Sequence, residues 1–441
     1  PPGRWMLGGN WDHDRTFGGR LPDAGILDRY VPGRPCFLVR YDGHMALANS
    51  PALKLAGITA ATADPPGGQI VRSAAGDEPT GVLRDAAMQL VGEIVPASSD
   101  EELADAIGAA LELAGRSGVT SLDDIAGHDP ATRRRLLRLY QQLARQGRLS
   151  ARIRLRWPLE AWSELAALGI EAGFGSELVT IGGLKGFIDG SLGSSTAKMW
   201  APYVNEAAST GLFVTPPGRL AELIQKADAS GLAVAVHAIG DRGNSALLDA
   251  FAEAARANGP RDRRFRIEHA QHLRPEDYGR FAGQAIIASM QPYHAIDDGR
   301  WAEGRIGAER CRSSYAFRSL LDHGARLAFG SDWPVAPLDP LAGIDAAVHR
   351  RTPDGLHPGG WFPEQRITVA EAIRGYTLDA AYANFADEQL GSIAAGKSAD
   401  LVVLSRDILA EGEAASIAEA KVVITLLAGR IVYQAKANRG E

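Results

Sequence analysis

Cysteine is nearly absent from this chain. Cys36 and Cys311 are the two in 441 residues, which excludes a disulfide framework and any Cys-x-x-Cys site. The pair suits a reducing compartment, and a cytoplasmic location is expected. Long apolar runs are missing as well: none approaches the ~20 residues of a membrane span, and no signal peptide is visible. Nor is there an excess of positive charge. With 47 Lys and Arg against 53 Asp and Glu, the formal net charge is -6. Neither nucleic acid nor an anionic membrane surface is therefore an expected partner. Arg133-Arg134-Arg135 and Arg261-Asp262-Arg263-Arg264 read as solvated helix or linker faces. The opening Pro-Pro-Gly-Arg-Trp has no initiator methionine and reads as the middle of a linker, so an amino-terminal part is expected to be missing.

The remaining composition, 45% hydrophobic and 23% charged, is that of a soluble globular protein. The stretch that organises the chain is Gly231-Leu-Ala-Val-Ala-Val-His237-Ala-Ile-Gly-Asp241. A short valine-rich run bounded by glycines reads as a strand buried on both faces, as in a parallel sheet. Helical patterns at about 217–230 and 244–258 flank it and make one step of a βα series. Further strands are expected at 119–123, 152–157, 183–189, 266–269, 285–291 and 327–332. Helices open at two capping boxes, Ser99…Glu102 and Thr368…Glu371.

This alternation predicts an α/β fold, a (β/α)8 TIM-like barrel, with seven of its strands found and the eighth sought before residue 98. Either a strand at 36–41 or the missing amino end fills that place, and the missing end is favoured. Residues 1–97 read as an irregular insertion or lid of the barrel domain, and 98–386 as the barrel. Residues 387–441, with short strands near 401–404, 421–427 and 430–434, read as the C-terminal part of a small β-sandwich domain.

Four strand ends carry residues that bind metal or move protons: Lys185, His237, His269 and Asp332. Strand ends of a barrel converge at one mouth. Each residue alone has a plainer reading: an ion pair of Lys185 with Asp189, a core hydrogen bond for either histidine, a helix cap for Asp332. Together, imidazole, carboxylate and the carbamate of a buried lysine suit zinc or a similar divalent ion. His44, His294, Asp189 and Gln271 are candidate substrate-facing residues. His128, His272, His323, His349 and His357 have no convergent context and read as structural or exposed.

The motifs GGLKGFIDGSLGSSTA, VHAIGD, RIEHAQ and FGSDWPV carry those four residues in order. With Trp5…Trp11-Asp12, Arg40-Tyr-Asp-Gly-His44, Asn49-Ser50 and Gly391-Ser-Ile…Gly396-Lys-Ser-Ala-Asp-Leu, they span nearly the whole chain. This pattern resembles the metal-dependent amidohydrolase superfamily, in particular the third amidohydrolase family with its N-substituted formamide deformylase-like members. The resemblance implies Lys185 as a carbamylated bridging ligand, His237 and His269 as ligands of one ion, and Asp332 as ligand of a second ion and general base. It also implies a His-x-His pair on a first strand, and none occurs in these 441 residues. The expected activity is hydrolysis of a C–N bond, other than a peptide bond, in a small amide-type substrate. One or two divalent ions, zinc foremost, would serve it, with the second site incomplete and turnover impaired or lost. A barrel that binds or regulates without turnover is one alternative, and a metal-dependent esterase or lactonase another. The oligomeric state is left open, a homo-oligomer included.

Overall fold

The computed structural model describes residues 5–74, 76–125, 129–410 and 414–436. The chain opens with β1 (Met6–Trp11), β2 (Cys36–Arg40), β3 (Met45–Ala48), β4 (Gly68–Arg72) and β5 (Pro79–Asp85). They form one mixed sheet in the order β1-β2-β3-β5-β4, parallel only between β1 and β2. The region expected to be irregular is thus built on a sheet. Its strands are short, and β3 is buried on both faces, so the alternation of polar with apolar residues that marks a half-buried strand is absent. Ala46 and Ala48 point into one small core with Leu83 and Ile70, whereas Met45 and Leu47 point into another with Val82 and Leu27. This is the period-2 pattern of a strand.

The second sheet contains β6 (Ser121–Asp124), β7 (Arg152–Pro158), the two-residue β8 (Phe174–Gly175), β9 (Val179–Phe187), β10 (Val234–Ala238), β11 (Arg266–His269), β12 (Ile287–Met290) and β13 (Arg326–Phe329). All except β8 pair in parallel with their neighbours in sequence. β6 and β13 end the path, so the described residues form a curled sheet of seven parallel strands where a closed eight-stranded barrel was expected. Helices Pro217–Ala229 and Asp241–Asn258 flank β10 in sequence. They bury Leu220, Leu223, Leu247 and Phe251 in the same core as Val234 and Val236. Both capping boxes are formed, Ser99 with Glu102 and Thr368 with Glu371. Arg133, read as solvated, is instead fully buried and paired with Asp124 at 2.9 Å.

At the C-terminal end β14 (Leu401–Leu404), β15 (Val422–Leu427) and β16 (Arg430–Gln434) make an antiparallel sheet. Ala428 and Gly429, with φ of 49° and 79°, turn the chain between β15 and β16. No second sheet faces these strands among the described residues, as a sandwich requires. Helix Asp100–Arg116 packs there instead, where Thr425 Oγ1 donates to the Gly115 carbonyl at 2.8 Å.

One buried fork joins this sheet to the parallel one. Arg152 donates through Nε and Nη2 to the two carboxylate oxygens of Asp400 at 2.9 and 3.0 Å, and through Nη2 to Ser398 Oγ at 2.9 Å. Both charged side chains are buried, and removing the cation would strand Asp400 in the contact. Arg152→Ala is therefore expected to cost about 3–5 kcal/mol, read as a lowered urea midpoint for unfolding.

Candidate active site

The parallel register brings one row of polar residues to the C-terminal rim of the sheet. Lys185 lies two residues before the end of β9, His237 one before the end of β10, and His269 at the end of β11. Asp332 follows the end of β13 on a short connection, and His294 lies four residues past the end of β12 on helix Pro292–Asp298. His269, Ala270 and Asp332 hold φ of 75°, 43° and 57°, a left-handed conformation that non-glycine residues rarely adopt. Such strain clusters where side chains are aimed for function.

Hydrogen bonds fix the tautomers. His269 Nδ1 donates to Gln291 Oε1 at 2.8 Å, while Gln291 Nε2 donates to the Ser289 carbonyl, so His269 keeps its lone pair on Nε2. His237 Nε2 donates to the Gly190 carbonyl at 3.0 Å and lies 3.5 Å from Asp189, which leaves the lone pair on Nδ1. The two rings meet edge-on with centroids 4.6 Å apart. Burial holds both well below the usual imidazole pKa, helped by the neighbouring rings, so both are neutral and ready to donate electron pairs. The Nε2 of His294 is buried, has no hydrogen-bond partner, and lies 4.0 Å from Asp332 Oδ2. Ligand atoms of His269, His294 and Asp332 all fall within 4.8 Å of one another. Two neutral imidazoles and a carboxylate beside an open cleft are a donor set that fits a catalytic divalent ion.

Lys185 and Asp332 complete the electrostatics. Burial lowers the Lys185 pKa to about 8 against the pull of Glu268 and Asp332, and its Nζ sits 3.5 Å over the Phe187 ring. No ion pair with Asp189 forms: the Lys185 ammonium donates to the Gly186 carbonyl. Burial pushes Asp332 up to about 7, although Lys185 opposes this. The cleft is lined as well by Arg40, Asp42, His44, Gln271, Asp297 and Asp298.

Of the four candidate substrate-facing residues, His44, His294 and Gln271 line the cleft. Asp189 does not. It is fully buried and accepts the amides of Ile239, Gly240 and Lys198, so it holds the β10 turn beneath His237. His44 Nδ1 donates to Asp85 Oδ1 at 2.6 Å. Burial opposes charge on His44, but this bond and the nearby Asp42 and Asp189 hold its pKa above the usual value. Asp42 accepts Ser191 Oγ at 2.7 Å and pairs with Arg40 at 2.7 Å, which ties the first sheet to the loop after β9. A Cβ at 193 would lie 2.4 Å from Arg40 Nη1, so a side chain there would displace the guanidinium that pairs with Asp42.

Asp42, Asp85 and the Asp297-Asp298 pair were missed in the sequence. His294 and Asp298 are i and i+4 on helix Pro292–Asp298, a one-face spacing that could have found the latter. Away from the cleft, His272 bonds Ser314 and His349 bonds Asp345, while His323 caps back onto the Ser319 carbonyl. His357 is half-buried, and His128 lies outside the described residues.

Asp298 Oδ2 accepts Gln271 Nε2 and the Tyr315 hydroxyl at 2.6 Å each, yet burial, with Asp297 adding to it, pushes its pKa up to about 8. The folded state therefore holds a proton that the unfolded chain releases near pH 4. Stability from this group is complete below about pH 4 and falls as pH rises towards 8. An asparagine keeps both accepted bonds without the charge. Asp298→Asn is expected to flatten the loss of melting temperature between pH 5 and pH 8, measured by thermal unfolding across that range.

Residues 1–433 match the amidohydrolase family. The Protein LONG AFTER FAR-RED 3 of Arabidopsis thaliana is 43% identical over 98% of this chain and 74% of its own length. The putative amidohydrolase YtcJ of Bacillus subtilis is 33% identical, and the N-substituted formamide deformylase of Arthrobacter pascens 29%, each over 98% of this chain and 80% of the relative. Among solved structures, a metal-dependent hydrolase from Pyrococcus horikoshii superposes with a TM-score of 0.73 at 28% identity, covering 93% of this chain and 79% of that one. With the matched family spanning nearly every residue around the cleft, this chain belongs to the amidohydrolase family.

Proposed function

We propose that this chain is a metal-dependent hydrolase that cleaves the C–N bond of a small amide-type substrate, other than a peptide, by attack of water. The observation that carries the reading is the one cleft in which neutral His237 and His269 face Asp332, a carboxyl with a pKa near 7. The cleft is lined by convergent polar and charged side chains with a few apolar ones, Leu192, Ile239 and Val335, a lining that suits a small polar molecule.

Lys185, His237, His269 and Asp332 are the residues that would hold one or two ions, and the ligand atoms of His269 and Asp332 lie close enough to share one of them without His237. A divalent cation such as zinc, when bound there, would supply Lewis acidity of the kind that lowers the pKa of water to about 7 and polarises a carbonyl. Asp332 takes the proton of the attacking water and returns it to the departing amine, a task suited to a carboxyl that titrates near neutrality. Lys185 titrates near 8, so part of it is neutral amine at pH 7. That amine adds to carbon dioxide, forms an N–C bond, loses a proton, and offers carbamate oxygens in place of an ammonium. His44, backed by Asp85, and Gln271 face the substrate across the cleft. No His-x-His occurs in the 441 residues, so turnover is expected to be below that of a centre that has the pair.

The test is a panel of N-formyl amines, N-acyl amino acids and esters, assayed with zinc and with manganese. Amide turnover is expected, abolished by dialysis against a chelator and restored by the metal. Asp332→Asn is expected to lower kcat by about 10²-fold or more with a smaller change in KM. Turnover of esters alone would move the reading to an esterase, and turnover of nothing on the panel would sink it.

A further inference from the structure

Resting on that metal-dependent reading, we propose that His294 is itself a metal ligand, its Nε2 sharing one divalent cation with His269 and Asp332. The ligand set implied by resemblance does not include it, and its place four residues beyond the end of β12 gave no such signal.

Three observations converge. First, His294 Nε2 is buried and lacks any hydrogen-bond partner. An orphaned polar atom of this kind is costly, and buried polar groups in folded proteins are overwhelmingly satisfied. Second, the nearest candidate acceptor, Asp332 Oδ2 at 4.0 Å, is too far for a hydrogen bond but close to the separation of two ligands on one ion. Donor atoms at ~2.0–2.2 Å from a tetrahedral zinc stand about 3.4 Å apart, so the pair closes by well under 1 Å. Third, His269 Nδ1 is committed to Gln291, which turns its free Nε2 towards the same space, and its ring lies nearly parallel to His294 at 14°.

Two imidazoles, one carboxylate and an open fourth position are the donor count of a catalytic zinc site. Gln291 orients one imidazole from behind, as outer partners of such ligands do. The His294 helix is held in turn by Asp298, one turn further on, through Gln271 and Tyr315.

The test is zinc K-edge X-ray absorption and competitive zinc affinity on the purified chain, with His294→Ala, His294→Gln and His237→Ala compared by circular dichroism for folding. The unaltered chain is expected to bind zinc with two imidazoles in its shell. Both His294 variants are expected to lose one imidazole and more than 100-fold in affinity, beyond the ~10–100-fold of an outer-shell partner, and His237→Ala to keep both. An unchanged imidazole count in the folded His294 variants, or a loss confined to His237→Ala, overturns the proposal and makes His294 a substrate-facing group while the hydrolase reading stands. An unaltered chain that takes up no zinc overturns both.

Discussion

Desolvation at the rim of a parallel sheet is the constraint on which this site depends. Strands paired in parallel and in sequence order end on the same side, so whatever polar residues close them are crowded together out of water. Burial keeps three imidazoles neutral, lowers a lysine to about 8 and raises an aspartate to about 7. Lys185 and Asp332, fully charged on an open surface, are thus brought near the point where a proton moves easily, while the imidazoles keep their lone pairs free. In a solvated loop the same five residues would have ordinary pKa values and no common target.

The interior of the sheet bears on this rim from below. Barrel interiors are usually filled by branched aliphatic layers, but here Asp123 binds Arg156 at 3.0 Å and also pairs with Arg266, whose Nε meets Glu268. Burial alone would raise Asp123, yet the two guanidinium groups outweigh it and hold the carboxyl at about 2. Glu268 then acts upward, favouring charge on Lys185 and opposing it on Asp332. A buried network of this kind does little for net stability compared with an apolar core. Its consequence is electrostatic: a fixed set of charges beneath groups that titrate near neutrality.

How much of this was legible in the sequence follows from the same physics. β10 is a short valine-rich run that closes on His237 between two helical patterns, so it and the βα series around it, with Lys185, His237, His269 and Asp332 at or near the strand ends, could be read directly. The Arg152, Arg154, Arg156 alternation of β7 was also in view, but a strand with arginines on one face looks solvated until the interior partners Asp123 and Asn384 are known. The first sheet was not legible because β3 is buried on both faces and the loops between strands are rich in glycine and proline. Asp42 and Asp85 were lost with it. His294 was seen but not its orphaned Nε2, since hydrogen-bond satisfaction is a property of packing and leaves no trace in spacing.

The first sheet matters chemically because it closes the cleft from outside the parallel strands. β2 and β3 end and begin at Arg40 and Met45, and the turn between them carries Asp42 and His44 into the wall facing the imidazoles. Asp85, at the end of β5, meets His44 from the neighbouring strand of the same sheet. Its backbone, at φ 47°, again stands in the left-handed region, as at His269 and Asp332. Strained positions therefore occur on both walls of one cleft, each aiming a side chain that burial would otherwise disfavour. Arg40 joins the walls: its Nη1 meets Asp42, its Nε donates to His13, and its guanidinium lies against Gly193 in the loop that follows Lys185. A side chain at 193 would separate the two. Asp42, which that guanidinium holds, also accepts Ser191 Oγ from the same loop, so the close contact at 193 and this hydrogen bond act together in holding the two walls.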